Sequence, residues 1–248
     1  MLSNIKVQSI ANQKILVSSL SDDELIAFCM IANKKYRAGT SIISDEDYDF
    51  IFIASLAKRL PEHPFLHSVE AEAFSEEKIK LPQKMLSTDK AYSWEEIEKW
   101  LERIAKFSEE IKYSLNDVQI KGTAKLDGFA GYDDGIKLCT RGDGNKGSDI
   151  TRVFERGLSV FNDSKRGQGP GEIVIKRSYF EKHLSNHFEY PRNFQASLIK
   201  EKELDNLAID AIRAKAALFV PFNQLPHWLG SIDEFRKQFL DVVSQLEG

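Results

Sequence analysis

The sequence predicts an α+β protein in which a helical hairpin precedes a mainly antiparallel sheet domain. Three observations carry that prediction. Through the first hundred or so residues, apolar side chains recur at helical spacing behind serine-led starts. From Val118 onward the apolar period turns toward two, the mark of strands. The later strand-like and helix-like runs mix without a βαβ rhythm, which argues against a parallel sheet.

Taken in order, Ser21-Asp22-Asp23-Glu24 reads as a capping box, with serine and glutamate placed to satisfy orphan amides. Leu25, Phe28, Cys29 and Ala32 follow on one helical face, and Gly39 terminates the run. Ser44 and Asp47 repeat the cap, ahead of a face of Ile51, Phe52, Ser55, Leu56 and Leu60 that Pro61 stops. These two helices make the predicted hairpin. Residues 61–92, with Pro61, Pro64 and Pro82, read as an irregular linker. Ser93 with Glu96 starts a third helix whose buried face is Trp94, Ile97, Trp100, Leu101 and Ile104. Strands are expected at Val118–Gly122, at Ile136–Thr140, where Ile136, Leu138 and Thr140 alternate, at Glu172–Lys176 and at Ala217–Pro221. Helices are expected at Asp149–Leu158, Tyr179–His187, Leu204–Lys215 and Ser231–Leu246, and a polar loop at Asn162–Gly171.

A chain of 248 residues can bury a sizeable core as one large domain or two small ones. No apolar run reaches membrane-spanning length, and the start MLSNIKVQSI lacks a signal-peptide layout. Cys29 and Cys139 are the only cysteines, too few for a disulfide framework or a four-cysteine zinc site, so a reducing cytoplasm is the expected setting. The net charge of −4 argues against a general nucleic-acid binder. Its distribution is uneven. Residues 121–200 hold 14 Lys and Arg against 10 Asp and Glu, a net of +4, and the remainder holds 20 against 28, a net of −8. The basic excess lies where a phosphate-rich ligand is expected.

That place is KGTAKLDGFAGYDDGIKLCTRGDGNKGSDIT, residues 121–151. Lys125 sits in Lys-Leu-Asp-Gly after an alternating run, Asp134-Gly135 signals a tight hairpin turn, and Thr-Arg-Gly-Asp-Gly brings Arg141 into a glycine-rich loop. A lysine amine attacks phosphorus only when deprotonated, through desolvation or neighbouring cations. Arg141 can supply such a charge and grip phosphate oxygens, while Gly142, Gly144 and Gly147 let backbone amides approach an anion. The tetrapeptide alone also fits an ordinary surface turn, and the acids Asp45, Glu46, Asp47 and Asp49 also fit a helix start that complements its dipole.

The Lys-Leu-Asp-Gly and Thr-Arg-Gly-Asp-Gly-x-x-Gly-x-Asp-Ile-Thr segments closely resemble the adenylation domain of bacterial-type NAD-dependent DNA ligases. Ser44–Asp49, Met85-Leu86-Ser87-Thr88, Gly171-Glu172-Ile173 and Pro191-Arg192-Asn193 are similar to further segments of that family, in the family's order. The resemblance implies a helical nicotinamide-side subdomain over residues 1–75 and a nucleotidyltransferase domain over 76–248 that is incomplete, stopping before the family's last strands. It implies NAD as substrate, Mg²⁺ as metal and nicked duplex DNA as partner. Lys125 is the implied nucleophile. Tyr36, Asp45, Tyr48 and Asp49 face nicotinamide mononucleotide, Leu86, Ser87 and Thr123 face adenosine, and Arg141 and Glu172 face ribose and phosphate. Asp127 and Asp143 shape their turns, and Arg192 is a candidate contact to DNA phosphate. No residue is assigned as a dedicated metal ligand.

Departures from the family pattern are visible. Thr123 stands where the family has glutamate, Arg37 where it has tyrosine or histidine, and Pro170 where it has arginine. The largest departure is the absence of the family's last lysine-bearing strands, from which a second ligase polypeptide carrying them and a DNA-binding barrel is expected. The alternative is a non-catalytic nucleotide- or nick-binding module derived from the same fold. An RNA ligase or capping-type transferase shares the lysine motif but leaves Asp45–Asp49 unexplained.

Overall fold

The computed structural model describes residues 2–67, 78–86, 89–201 and 203–246. It is α+β, with mainly antiparallel strand pairs. Packing divides the chain into two compact units, Met1–Ser87 with Asp127–Asn223 and Thr88–Leu126 with Gln224–Gly248.

The first unit begins with a helix at Asn4–Ala11, which the sequence reading missed. The next, Asp22–Arg37, starts at the expected capping box: the Ser21 side chain accepts from the Glu24 amide and Glu24 accepts from the Ser21 amide. Gly39 follows the helix with φ +68°, a conformation glycine adopts without strain. Ser44 then caps residues 45–59, whose middle, Tyr48–Ile53, is wound as a π-helix. Phe52 and Leu56 are fully buried, and the Phe28 and Phe52 rings lie 4.5 Å apart. These residues join Val7, Ile10, Leu25 and Cys29 in one apolar cluster.

A five-stranded sheet forms the rest of this unit. Its strands are β3 (Phe129–Asp133), β4 (Leu138–Thr140), β6 (Ser159–Val160), β7 (Gly169–Ile175) and β8 (Ala217–Pro221), in the order β4-β3-β7-β8-β6. Among the described residues only the β6–β8 pair is parallel. Phe129, Ile173, Ile175, Ala217 and Phe219 pack against Phe194, Leu198 and Ile199 of the helix Pro191–Lys200, and against Ala208, Ala211 and Ile212 of the helix Asn206–Arg213. A two-residue ladder joins β1 (Ile79–Lys80) to β5 (Lys146–Gly147).

The second unit sets the helices Trp94–Glu110 and Ile232–Leu246 against an antiparallel pair, β2 (Gln119–Thr123) and β9 (His227–Ser231). Leu101, Ile120, Ile232, Phe235 and Val242 form its core. Arg236 grips Glu98 through two guanidinium nitrogens at 3.0 and 3.2 Å.

Several expectations need correction. Ile136 is not in a strand. It is 79 % exposed in the loop after Asp133, and β4 buries all of Leu138, Cys139 and Thr140 because both of its faces are covered. The Asp134-Gly135 turn is a four-residue loop. Only Gly135 takes positive φ, while Asp134 Oδ1 accepts from the amides of Ile136 and Lys137 at 2.8 and 2.6 Å, replacing a two-residue primed turn. Asp149–Leu158 is helical only at Arg152–Glu155, because Asp149 pairs with Cys139 in a β-bridge and Gly157 breaks the turn. Tyr179–His187 is instead Arg177–Tyr179 followed by a π-helical Phe180–Leu184. Trp100 is 38 % exposed, so it rims its helix face where Leu101 fills the core. Part of the expected linker, 68–77, and Thr88 lie outside the described residues. No helix among the described residues is long and apolar enough to cross a membrane.

One buried charge organises the sheet's loop end. Asp133 is 1 % exposed and accepts from Arg166 at 2.8 and 3.2 Å, from the Gly135 amide at 3.1 Å and from the Gly167 amide at 2.9 Å. Arg166 also stacks on Phe154 at 4.2 Å. Removing the carboxylate strands several donors at once, so Asp133→Ala is expected to lower unfolding free energy by about 3 kcal/mol. Urea titration of the variant checks this, and a loss under about 1 kcal/mol would show that water replaces the carboxylate.

Candidate functional site

Tyr36 closes the Asp22–Arg37 helix, and its hydroxyl donates to Asp45 Oδ2 at 3.2 Å. The two sequence-predicted residues are thus brought together across the turn that Gly39 makes possible. Burial pushes the Tyr36 phenol well above its ordinary range. The Arg192 charge opposes that shift, and the Asp45 and Asp127 carboxylates add to it. Tyr48 and Asp49 lie in the π-helical segment, half-buried, and the Tyr48 hydroxyl donates to the Cys29 carbonyl at 3.4 Å. Tyr48 is therefore anchored toward the preceding helix, and its half-buried side chain packs against the apolar cluster of Phe28 and Phe52. π-Helical turns recur at functional sites because they re-aim side chains within a helix.

Arg192, expected to touch DNA phosphate, does not. It is 4 % exposed, with its guanidinium between the Tyr36 and Phe129 rings at 3.8 Å from each centroid. It donates to the Gly128 carbonyl and, at 3.4 Å, to the Tyr36 carbonyl. A planar, weakly hydrated cation fills such a slot by stacking on both faces and spending its edge on carbonyls. Next to it, Gln195 Nε2 donates to the Asp127 carbonyl at 3.0 Å. The Asp127-Gly128 turn is thus held by side chains of the Pro191–Lys200 helix. Sequence reasoning treated this segment as a motif and missed the helix, although Pro191 at its first position is a start signal.

Arg141 leaves β4 half-buried, with its amide bonded to the Ala130 carbonyl at 2.8 Å. The following loop is built from close backbone approaches. A Cβ on Gly142, at φ +55°, would sit 1.9 Å from the Lys146 carbonyl oxygen. Asp143 shapes the loop as expected, accepting from the Asn145 and Lys146 amides at 2.8 Å each. These amides hold its carboxyl below the ordinary value of 3.8. The Leu81–Met85 segment lies along this loop, with Leu81 N–H bonded to the Asn145 carbonyl at 2.8 Å and Met85 N–H to the Gly144 carbonyl at 2.9 Å. Leu86, just beyond, is 78 % exposed, and Ser87 lies outside the described residues.

Glu172 is mid-strand in β7, paired with Ala130 on one side and Val220 on the other. Its neighbours Gly171 and Ile173 are buried, so Glu172 stands on the sheet face away from that packing. Gly128 lies beside it: an added Cβ there would come within 2.8 Å of the Glu172 Cγ. In the second unit, Thr123 ends β2 opposite His227, and Lys125 follows outside the strand, solvent-exposed. Two residues later, at Asp127, the chain enters the first unit.

Among the described residues no group of three or more His, Cys, Asp or Glu is placed to hold a metal ion. A single carboxylate such as Glu172 could hold Mg²⁺ only in the mode in which the ion keeps several waters and takes its other oxygens from phosphate.

Comparison with known proteins gives one consistent answer. Residues 73–213 match the family described as the NAD-dependent DNA ligase adenylation domain. A DNA ligase of Vesicomyosocius okutanii is 58 % identical over 248 residues, 99 % of this chain and 39 % of the relative. A DNA ligase of Ruthia magnifica is 59 % identical over 232 residues, 93 % of this chain and 38 % of the relative. One of Shewanella baltica is 48 % identical over 244 residues, 98 % of this chain and 38 % of the relative. The chain thus spans less than two fifths of the length of these curated relatives.

The loop geometry makes two predictions. Gly142→Ala, forced into φ +55° and a carbonyl clash, is expected to cost about 1–3 kcal/mol and to speed amide exchange at Asn145 and Lys146. Unchanged exchange would refute the close packing. In acid titration the Asn145 and Lys146 amide resonances should move with a midpoint below 3.8. A lowered folded value means that the carboxylate's contribution is present above about pH 4 and lost as pH falls through that value. A midpoint at or above 3.8 would contradict the Asp143 bonding.

Proposed function

The chain belongs to the NAD-dependent DNA ligase adenylation family, and from that premise we propose that it transfers AMP from NAD to Lys125, the first step in sealing nicks in duplex DNA. The observation that carries this reading is the convergence on one turn. Asp127-Gly128, which begins two residues after Lys125 in the chain, is flanked by Glu172 and tied through Arg192 to Tyr36, which bonds Asp45.

In the proposed reaction the neutral Lys125 amine attacks the α-phosphorus of NAD. An N–P bond forms, the P–O bond to nicotinamide mononucleotide breaks, and the lysine proton passes to solvent. Tyr36, Asp45, Tyr48 and Asp49 receive the nicotinamide half, the Tyr36 ring and the carboxylates suiting a cationic pyridinium and ribose hydroxyls. Arg37, half-buried beside Tyr36, adds a positive charge there that suits the adjoining phosphate. Leu86, Ser87 and Thr123 receive adenosine. Arg141 neutralises phosphate charge, and the backbone of its glycine loop follows the anion. Glu172 would hold Mg²⁺, which would supply further neutralisation of phosphate charge when bound.

On this reading residues 1–75 form the helical nicotinamide side, and 76–248 form most of a nucleotidyltransferase domain of a cytoplasmic enzyme. Transfer of the adenylate to a 5′-phosphate and its displacement by a 3′-hydroxyl need the remainder of the ligase, on this or a second polypeptide. The second reading, a nucleotide- or nick-binding module without turnover, is favoured by one observation: Lys125 is solvent-exposed, without the enclosing burial that activates a lysine nucleophile.

Intact-mass measurement separates the two. The chain is incubated with Mg²⁺ and NAD, or with Mg²⁺ and ATP, then denatured and weighed, with Lys125→Ala alongside. One added AMP from NAD only, absent in the variant, is expected. No adduct from either nucleotide, with or without the remaining ligase portion, would leave the binding module as the reading.

A further inference from the structure

The Pro191–Lys200 helix touches two stretches that the proposed function uses for different halves of the substrate. Along one side it follows the turn 36–41. Arg192 donates to the Tyr36 carbonyl at 3.4 Å and stacks on the Tyr36 ring. One turn on, Ala196 lies so close to Gly39 that an added Cβ there would sit 2.0 Å from the Ala196 Cβ. One turn further, Lys200 Nζ donates to the Ala38 carbonyl. Asn193 completes the series by clasping one residue of main chain from both directions. Its Oδ1 accepts from the Ser41 amide at 2.8 Å, and its Nδ2 donates to the Ser41 carbonyl at 3.4 Å. Toward the sheet the same helix holds the Gly128 carbonyl through Arg192 and the Asp127 carbonyl through Gln195.

We infer that Asn193 is a positioning residue that, with Arg192, keeps Tyr36 and Asp45 in register with the Asp127-Gly128 turn, and so sets the affinity for the nicotinamide half of the dinucleotide. The inference rests on the proposed function for what Tyr36 and Asp45 bind. Its physical content is separate. Ser41 lies between Tyr36 and Asp45 in the chain, and an amide side chain that pairs with its N–H and C=O fixes that turn as a neighbouring strand would. Without the clasp, the turn samples conformations that do not present Tyr36 and Asp45 together. The apparent dissociation constant then rises by the inverse of the competent fraction. The adenosine and phosphate residues Leu86, Arg141 and Glu172 lie outside the clasped turn, so the effect should be selective.

The test titrates nicotinamide mononucleotide and AMP separately, by calorimetry, into the full chain as wild type, Asn193→Ala and Asn193→Asp. Asn193→Ala is expected to weaken nicotinamide mononucleotide about tenfold, equivalent to about 1.4 kcal/mol, and to leave AMP within about twofold. Asn193→Asp keeps the acceptor for the Ser41 amide and should restore most of the affinity. Equal mononucleotide affinity in wild type and Asn193→Ala would overturn the positioning role while leaving the proposed function standing. Parallel loss of both ligands would overturn it as general damage to the unit. A wild-type chain that binds AMP but not nicotinamide mononucleotide would remove the nicotinamide-side assignment, and the positioning role with it. A chain that binds neither would remove both proposals.

Discussion

A guanidinium held between two aromatic rings is the interaction on which the candidate site depends. Arg192 is buried between Tyr36 and Phe129, and its edge donates to main-chain carbonyls at Gly128 and Tyr36. A buried charge is costly unless its hydrogen-bonding groups are met. Here carbonyls take the donors and ring faces take the charge, so the cation becomes a spacer with fixed dimensions. Lysine, with one tetrahedral ammonium, could not meet two flat rings and two carbonyls at once. The rings come from segments about ninety residues apart in sequence, and the cation makes them one surface.

The sheet contributes a different constraint, the exclusion of side chains. Gly128 lies against β7 so tightly that an added Cβ would come 2.2 Å from the Ile173 carbonyl oxygen, and Gly142 and Gly147 are equally enclosed by backbone. These approaches bring main-chain groups close together, with Glu172 beside Gly128 and Arg141 next to Gly142 in the chain. Asp143 and Asp134 shape neighbouring loops by accepting amides two and three residues on, which frees the loops from needing a tight turn type.

Lys125 stands on the strand-to-turn segment where the chain passes from the second unit to the first. Only Leu126 separates it in the chain from the Asp127-Gly128 turn. The helical N-terminal part reaches the same turn through the Pro191–Lys200 helix. Contacts of separate origin therefore end on two residues, Asp127 and Gly128.

Much of this was legible in the sequence. The serine caps at 21, 44 and 93 were readable because a cap is a local bond between a side chain and an amide three residues on. The Lys125 motif, the glycine loop and the family likeness were readable because they are contiguous residues. What lay beyond it depended on distant partners. Ile136 could look like a strand residue, yet it is exposed because the register of β3 and β4 ends at Asp133 and Leu138. β9 was invisible because its pairing with β2 joins residues about a hundred apart. Arg192 read as a candidate contact to DNA phosphate because no local pattern shows that Tyr36 and Phe129 will close on it. The sequence by itself determined which residues can cap, turn, bind and attack. The tertiary structure decided which of them meet, because burial and stacking are properties of partners that the chain supplies from far away.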